Sequence, residues 1–345
     1  MPLTGRPCLD SGAMSNAAAL RLAYPDARFW HGLVVGRAGL DLYPQPVGCK
    51  TRDATSFASD VGGSGGNIAV AMGRAGGHVG LVSALSDDPV GQFVRQRLKL
   101  EGIDLQLTAT TEGDERTSLA LAEIRQQDCE VVIYRNNPAD LQITCDKAIQ
   151  QAISQSCNLL VTGTSLISAD SRHHTLAMMQ HACSVGCQVW LDLDYRAWNW
   201  PDLQTTQAVY CEAADLAHVV VGNEEEFSVL NSDLEAQIEH CRTRQQIMVL
   251  KRGSGGCSLF AGPARLDTGI YPVEACKPYG AGDAFLGNLV INHMASRDWQ
   301  QAIEAGSAAA ALVVSRQGCA SAMPSTGELQ QLQQQSTITP AAKWS

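Results

Sequence analysis

Residues 277–288 read KPYGAGDAFLGN, three small residues set directly before an acid and an apolar run. The positions that follow, Ala284, Phe285 and Leu286 and then Leu289, Val290 and Ile291, recur at three- and four-residue spacing, which predicts a core-packed helix starting near Asp283. Gly280, Ala281 and Gly282 then form its N-terminal turn. The first N–H groups of a helix lack partners within it and carry the positive end of its dipole, while glycines let an anion approach closely. Such a turn fits a phosphate. An Asp at the same turn can take the proton of a hydroxyl held beside that phosphate, as phosphoryl transfer to an alcohol requires. A plain helix cap accounts for Asp283 as well, so the rest of the chain must decide.

The 345 residues are 45% hydrophobic, enough to bury a large core in one unit, and the formal charge of −10 comes from 25 Lys and Arg against 35 Asp and Glu. With no basic run to track a phosphate backbone, no nucleic-acid partner is expected. No apolar stretch reaches the ~18 residues of a membrane span, and residues 1–28 lack the basic-then-apolar order of a signal peptide. The expectation is a soluble cytoplasmic protein with no membrane partner. The 12 cysteines are dispersed without a CxxC. Cys183 and Cys187, the nearest approach to a ligand pair, read as core thiols.

Along the chain, residues 1–28 read as a flexible extension, 29–325 as the main domain and 326–345 as a polar, Gln-rich tail. A buried strand at Leu33 leads to Asp41 at its polar exit. "VGGSGGNIAVAMGRAGG" reads as a glycine turn opening a helix from about Asn67, and "HVGLVSAL" as the next strand. In "SDDPVGQFVRQRLKLEGID", Asp88 is the N-cap, Pro89 the first helical residue and Gly102 the stop. The alternating segments "TSLALAEI" and "CEVVIYR" predict antiparallel strands in a small projecting sheet. Strand and helix then alternate through "NLLVTG", "CQVWLDLD", "HVVVGN" and "IMVLKRG", which predicts an α/β fold: a mostly parallel sheet with helices on both faces.

Ligands of open parallel sheets bind beyond the carboxyl ends of the strands. Polar residues recur there: Asp41, Asp194 with Arg196, Asn223 with Glu226, and Lys251 with Gly253. Each alone reads as a turn or cap residue, but their recurrence along one edge favours a site. Carboxylates near a phosphate suggest magnesium held partly through water. "GGSGGN" lacks the G-x-G-x-x-G spacing of a dinucleotide site.

Over residues 30–325 the chain resembles the ribokinase (phosphofructokinase-B) family of sugar kinases. "GGSGGNIAVAMGRAGGHVGLVSALSDDPVG" resembles its N-terminal signature and "KPYGAGDAFLGN" its C-terminal one, while "NEEE" and "KRGSGG" match its N-x-x-E and K-x-G-x-x-G strings. The resemblance implies ATP and Mg²⁺ as cofactors. It makes Asp283 the general base and Gly280, Ala281 and Gly282 the anion hole. Asn223 and Glu226 become the magnesium and phosphate positioners, acting through water. Lys251, Gly253 and Gly256 fall on the nucleotide side, and Asp41, Gly65, Gly66 and Asn67 on the sugar side. Strands at about 40–60 and 103–138 become a ribokinase-like β-sheet lid, through which two copies pair in a homodimer.

Three further strings, "LDLYPQ", "IYRNNPADL" and "LDLDYRAWNW", are most similar to members that phosphorylate 5-dehydro-2-deoxy-D-gluconate at its 6-hydroxyl, with 2-keto-3-deoxygluconate the alternative acceptor. Both are acidic keto sugars. Arg135 and Arg196 then have a chemical reason, charge-assisted hydrogen bonds to a carboxylate, although two arginines fastening lid to body is the competing account. A non-catalytic sugar-binding regulator is the rival from another class, and it needs neither Asp283 nor an anion hole. One departure matters. Many family members carry Asp where Lys277 stands and bind a monovalent cation nearby, so here an ammonium either replaces the ion or points outward.

Overall fold

The computed structural model describes residues 22, 24, 28–125 and 128–342, so most of the extension expected over residues 1–28 lies outside it. β1 (Gly32–Val35) is a continuous apolar run buried on both faces, as a central parallel strand must be. β2 (Gly39–Gln45) and β3 (Ser56–Gly62) pair antiparallel, and α1 (Ser64–Arg74), β4 (Val79–Ser86) and α2 (Pro89–Leu100) follow. The Asp88 carboxylate accepts from the N–H groups of Val90 and Gly91 with Pro89 at the first helical residue, so the boundary in "SDDP" is where its chemistry puts it.

β5 (Thr108–Thr111), β6 (Leu119–Ala122) and β7 (Val131–Tyr134) are short. Alternation then sets in: α3 (Lys147–Ser154), β8 (Asn158–Thr162), α4 (Ala169–Ser184), β9 (Gln188–Asp192), α5 (Leu203–Leu216), β10 (Val219–Asn223). The short α6 (Glu224–Ser228), α7 (Leu234–Thr243) and β11 (Ile247–Lys251) lead to the antiparallel β12 (Cys257–Ala261) and β13 (Ala264–Thr268). α8 (Ala281–Ser296), α9 (Trp299–Val314) and α10 (Thr326–Gln335) end the fold.

The main sheet has nine strands in the order β13-β12-β11-β10-β9-β8-β1-β4-β5, parallel from β11 to β5. Successive residues of β1 enter different cores. Val34 packs with the α1, α8 and α9 side, whereas Leu33 and Val35 pack with the α4 and α5 side. This is the two-faced burial that strand periodicity and right-handed crossovers produce. The second, smaller sheet has the order β3-β2-β6-β7 and is the one expected to form a lid.

Three expectations shift. α1 starts at Ser64, three residues before Asn67, because Gly65 and Gly66 carry no side chain to register a helical period. β5, inside the stretch expected to project, pairs with β4 in the main sheet. The polar tail begins with a helix, α10, started by a capping box between Ser325 and Glu328 and pinned by the buried Leu329.

Candidate active site

The site grows from the first turn of α8. Gly280 caps that helix at φ 84°, a left-handed conformation that favours glycine, and the first intrahelical bond runs from the Ala284 N–H to the Gly280 carbonyl at 3.0 Å. The N–H groups of Ala281, Gly282 and Asp283 have no partner within the helix. Behind this turn α8 is buried from Ala284 to Ile291, apolar but for Asn288, so the turn is set on a packed helix. α1 reaches the same place by close approach. A Cβ on Gly65 would stand 2.6 Å from the Gly36 carbonyl carbon, so only glycine lets the start of α1 rest on the end of β1. Two residues on, Asn67 Nδ2 donates to Asp283 Oδ2 at 2.8 Å, and Asn67 Oδ1 is buried without a partner among the described residues.

Burial pushes the Asp283 carboxyl up to about 7, with Asp194 and Asp192 adding to the rise and the Asn67 hydrogen bond and Lys251 opposing it. A general base poised near neutrality is what proton transfer at physiological pH calls for.

Cations surround the same turn. Lys251, at the end of β11, donates from Nζ to Asp192 Oδ1 at 3.0 Å and lies 4.0 Å from Glu226. A Cβ on Gly282 would stand 3.3 Å from that Nζ, so the ammonium lies against the first turn of α8. Burial works against its charge, but Asp192 and Glu226 outweigh it and hold its pKa above the ordinary value. Gly253 opens the short turn (Gly253–Gly255) between β11 and β12, and Gly256 caps its end. Arg196 pairs with Asp194 at 2.9 Å and Glu226 at 3.6 Å, and Asp194 is the main cause of its raised pKa. Asn223 and Glu226 are tied to each other: Asn223 Oδ1 accepts from the Glu226 N–H at 2.9 Å, and Glu226 Oε2 accepts from the Asn223 N–H at 2.8 Å.

The smaller sheet brings in further candidates. Asp41 lies within β2 of the lid rather than at the exit of β1. It accepts from Tyr43 Oη at 3.1 Å, and Tyr43 stacks on Tyr279, next to the first turn of α8. Burial raises Asp41 to about 6 against the pull of Arg37 and Tyr43. Gly66 packs against Ala38 and Val61. Arg135, on the connection leaving β7, is held by Asp140 and donates to the Thr164 carbonyl at 3.1 Å. Its Nη1 has no partner among the described residues. Lys277 turns inward, donating from Nζ to the Tyr279 carbonyl at 2.8 Å.

Sequence reasoning passed over two acids. Asp192 pairs with Lys251 from inside β9, and its signal was a lone charge in the apolar "VWLDL". Asp60, at the inner end of β3, accepts from the N–H groups of Cys319 and Ser321 and from Ser321 Oγ, binding the root of the lid to the segment after α9. No local pattern marks it.

Residues 32–326 match the pfkB family carbohydrate kinases. The chain is 36% identical over 313 residues to the 5-dehydro-2-deoxygluconokinase of Photobacterium profundum, covering 88% of this chain and 95% of that protein. It is 32% identical over 308 residues to the enzyme of the same name from Geobacillus thermodenitrificans, covering 87% and 91%. A fructokinase from Xylella fastidiosa solved with bound ATP superposes with a TM-score of 0.79 at 25% identity, covering 89% of this chain and 99% of that one. No helix among the described residues is long and apolar enough to cross a membrane. With its fold and these relatives in agreement, the chain belongs to the pfkB family of carbohydrate kinases.

Proposed function

We propose that this kinase transfers the γ-phosphoryl group of MgATP to the 6-hydroxyl of 5-dehydro-2-deoxy-D-gluconate. The observation that carries the chemistry is Asp283, a carboxylate raised to about 7 in the first turn of α8 and oriented by Asn67. Asp283 takes the hydroxyl proton, the freed oxygen bonds to the γ-phosphorus, and the bond to the bridging oxygen of ADP breaks. The N–H groups of residues 281–283 and the Lys251 ammonium receive the charge on the transferring group. Relatives of that name at 36% and 32% identity support the substrate, as does Arg135, whose unpartnered Nη1 suits a sugar carboxylate.

Glu226 and Asn223 offer hard oxygen donors, which suit magnesium. Because each already serves the other's backbone and Glu226 also faces Arg196, they fit an ion held through water. An ion held there would supply charge neutralisation for the phosphates. Gly253 and Gly256 border the nucleotide side, and Asp41 with Asn67 the sugar side. The lid also supports a homodimer. Phe57 on β3 and Val131, Val132 and Tyr134 on β7 are exposed apolar side chains on its two edge strands, a surface suited to a second copy.

The test is ATP consumption over a panel of neutral sugars and sugar acids. Turnover concentrated on 5-dehydro-2-deoxy-D-gluconate supports the reading. Preference for 2-keto-3-deoxygluconate, or for neutral fructose or ribose, rejects it.

A further inference from the structure

Lys277 is 2% exposed, with the Tyr279 carbonyl oxygen as the acceptor of its Nζ and the Tyr279 ring centroid 5.4 Å away. A Cβ on Gly280 would stand 3.5 Å from that Nζ, so the ammonium lies against the backbone of the α8 turn, two residues before the Lys251 contact at Gly282. Asp283 and Asp60 act on it electrostatically, and it acts on Asp41. Burial pulls its pKa below the ordinary value. Keeping an ammonium in such a place is unfavourable, and a methionine would fill the same space without the desolvation penalty. The charge itself must serve the site.

We infer that Lys277 is a covalently attached monovalent cation for the phosphate turn. By holding the Tyr279 carbonyl it fixes the backbone entering Gly280, and its charge draws phosphoryl oxygens toward the N–H groups of residues 281–283. It is a positioning residue, acting through the turn, and the inference rests on that turn being the phosphate cradle. Two consequences follow. The place is already filled by a charge, so the native enzyme gains nothing from dissolved potassium. Cutting the side chain back leaves a hole lined by a carbonyl oxygen and near carboxylates, which a small cation fits.

The experiment measures turnover of wild type and Lys277→Ala with MgATP in tetramethylammonium buffer, titrated with ammonium, methylammonium or potassium. Wild type should hold its rate in every salt. Lys277→Ala should lose about ten- to a hundred-fold in kcat, within the range for removing one electrostatic stabiliser. Ammonium or methylammonium should restore much of that loss saturably and raise the melting temperature of the variant, which tetramethylammonium should not do. Lys277→Met should be folded, slow and beyond rescue, because its side chain blocks the hole. Strong potassium stimulation of wild type, normal turnover in folded Lys277→Met, or a folded Lys277→Ala that no cation rescues or stabilises would overturn the inference. If the turn does not cradle the phosphoryl group at all, Asp283→Asn will keep wild-type turnover, a result independent of the cation titrations.

Discussion

Asn67 and Asp283 are 216 residues apart in the chain and joined by a 2.8 Å hydrogen bond between the first turns of two helices. The bond favours the carboxylate form of Asp283 and so restrains a pKa that burial drives upward. Asp283 must be ionised to accept a proton, so kcat/KM should fall as pH drops below about 7. In Asn67→Ala that acid limb should move to higher pH. An acid limb near 4 in wild type, read from a pH–rate profile, would contradict the assignment.

Asp283→Asn should keep ATP binding and lower kcat by ~10²–10⁴, the usual worth of a positioned base. Stopped-time product assays beside ATP titrations separate the two effects. Loss of ATP binding together with the fold would instead mark Asp283 as only a cap.

The same substitution should stabilise the protein at neutral pH. A raised carboxyl pKa means that the folded state resists ionisation, so the penalty is absent at low pH, grows from the unfolded pKa of about 4 up to about 7, and is constant above. Melting curves should show Asp283→Asn gaining several degrees over wild type at pH 8, since 1 kcal/mol moves Tm by roughly 2–4 °C in larger domains, and gaining little near pH 4.

Lys251→Met should lower kcat by about 10²-fold through loss of charge beside Gly282. It should also destabilise by roughly 3–5 kcal/mol, because Asp192 is left buried and unpaired. Adding Asp192→Asn should return most of the stability and none of the activity, as denaturant unfolding and turnover of the double variant will show.

For substrate choice, Arg135→Met should raise KM for the acidic keto sugar roughly ten- to a hundred-fold and leave residual turnover of neutral sugars unchanged. Because Asp140 loses its partner, Arg135→Met/Asp140→Asn is the better-folded comparison. Equal KM changes for acidic and neutral sugars would place Arg135 among the residues that only fasten lid to body.

Local chemistry was legible in the sequence wherever it is local. The Asp88 cap, the apolar β1 and the α8 turn each follow from neighbours within a few residues. What failed to show depends on direction or distance. Nothing near Lys277 says that its ammonium turns inward to Tyr279, and nothing near Arg135 says that Asp140 already occupies two of its nitrogens. Asp192 looked like part of a strand because its partner Lys251 comes from β11, two strands away. Glycines hid the start of α1, since periodicity is carried by side chains.

The clasp between Asp60 and the backbone at Cys319 and Ser321 sets an order in time. On the ribosome β3 emerges early, yet the groups that fasten its inner end, Cys319 and Ser321, are made 259 and 261 residues after Asp60. A chain ended before Asp283 therefore lacks both the clasp on β3 and the carboxylate proposed as the base. Whatever is synthesised before residue 319 has β2 and β3 but not the groups that hold their inner end.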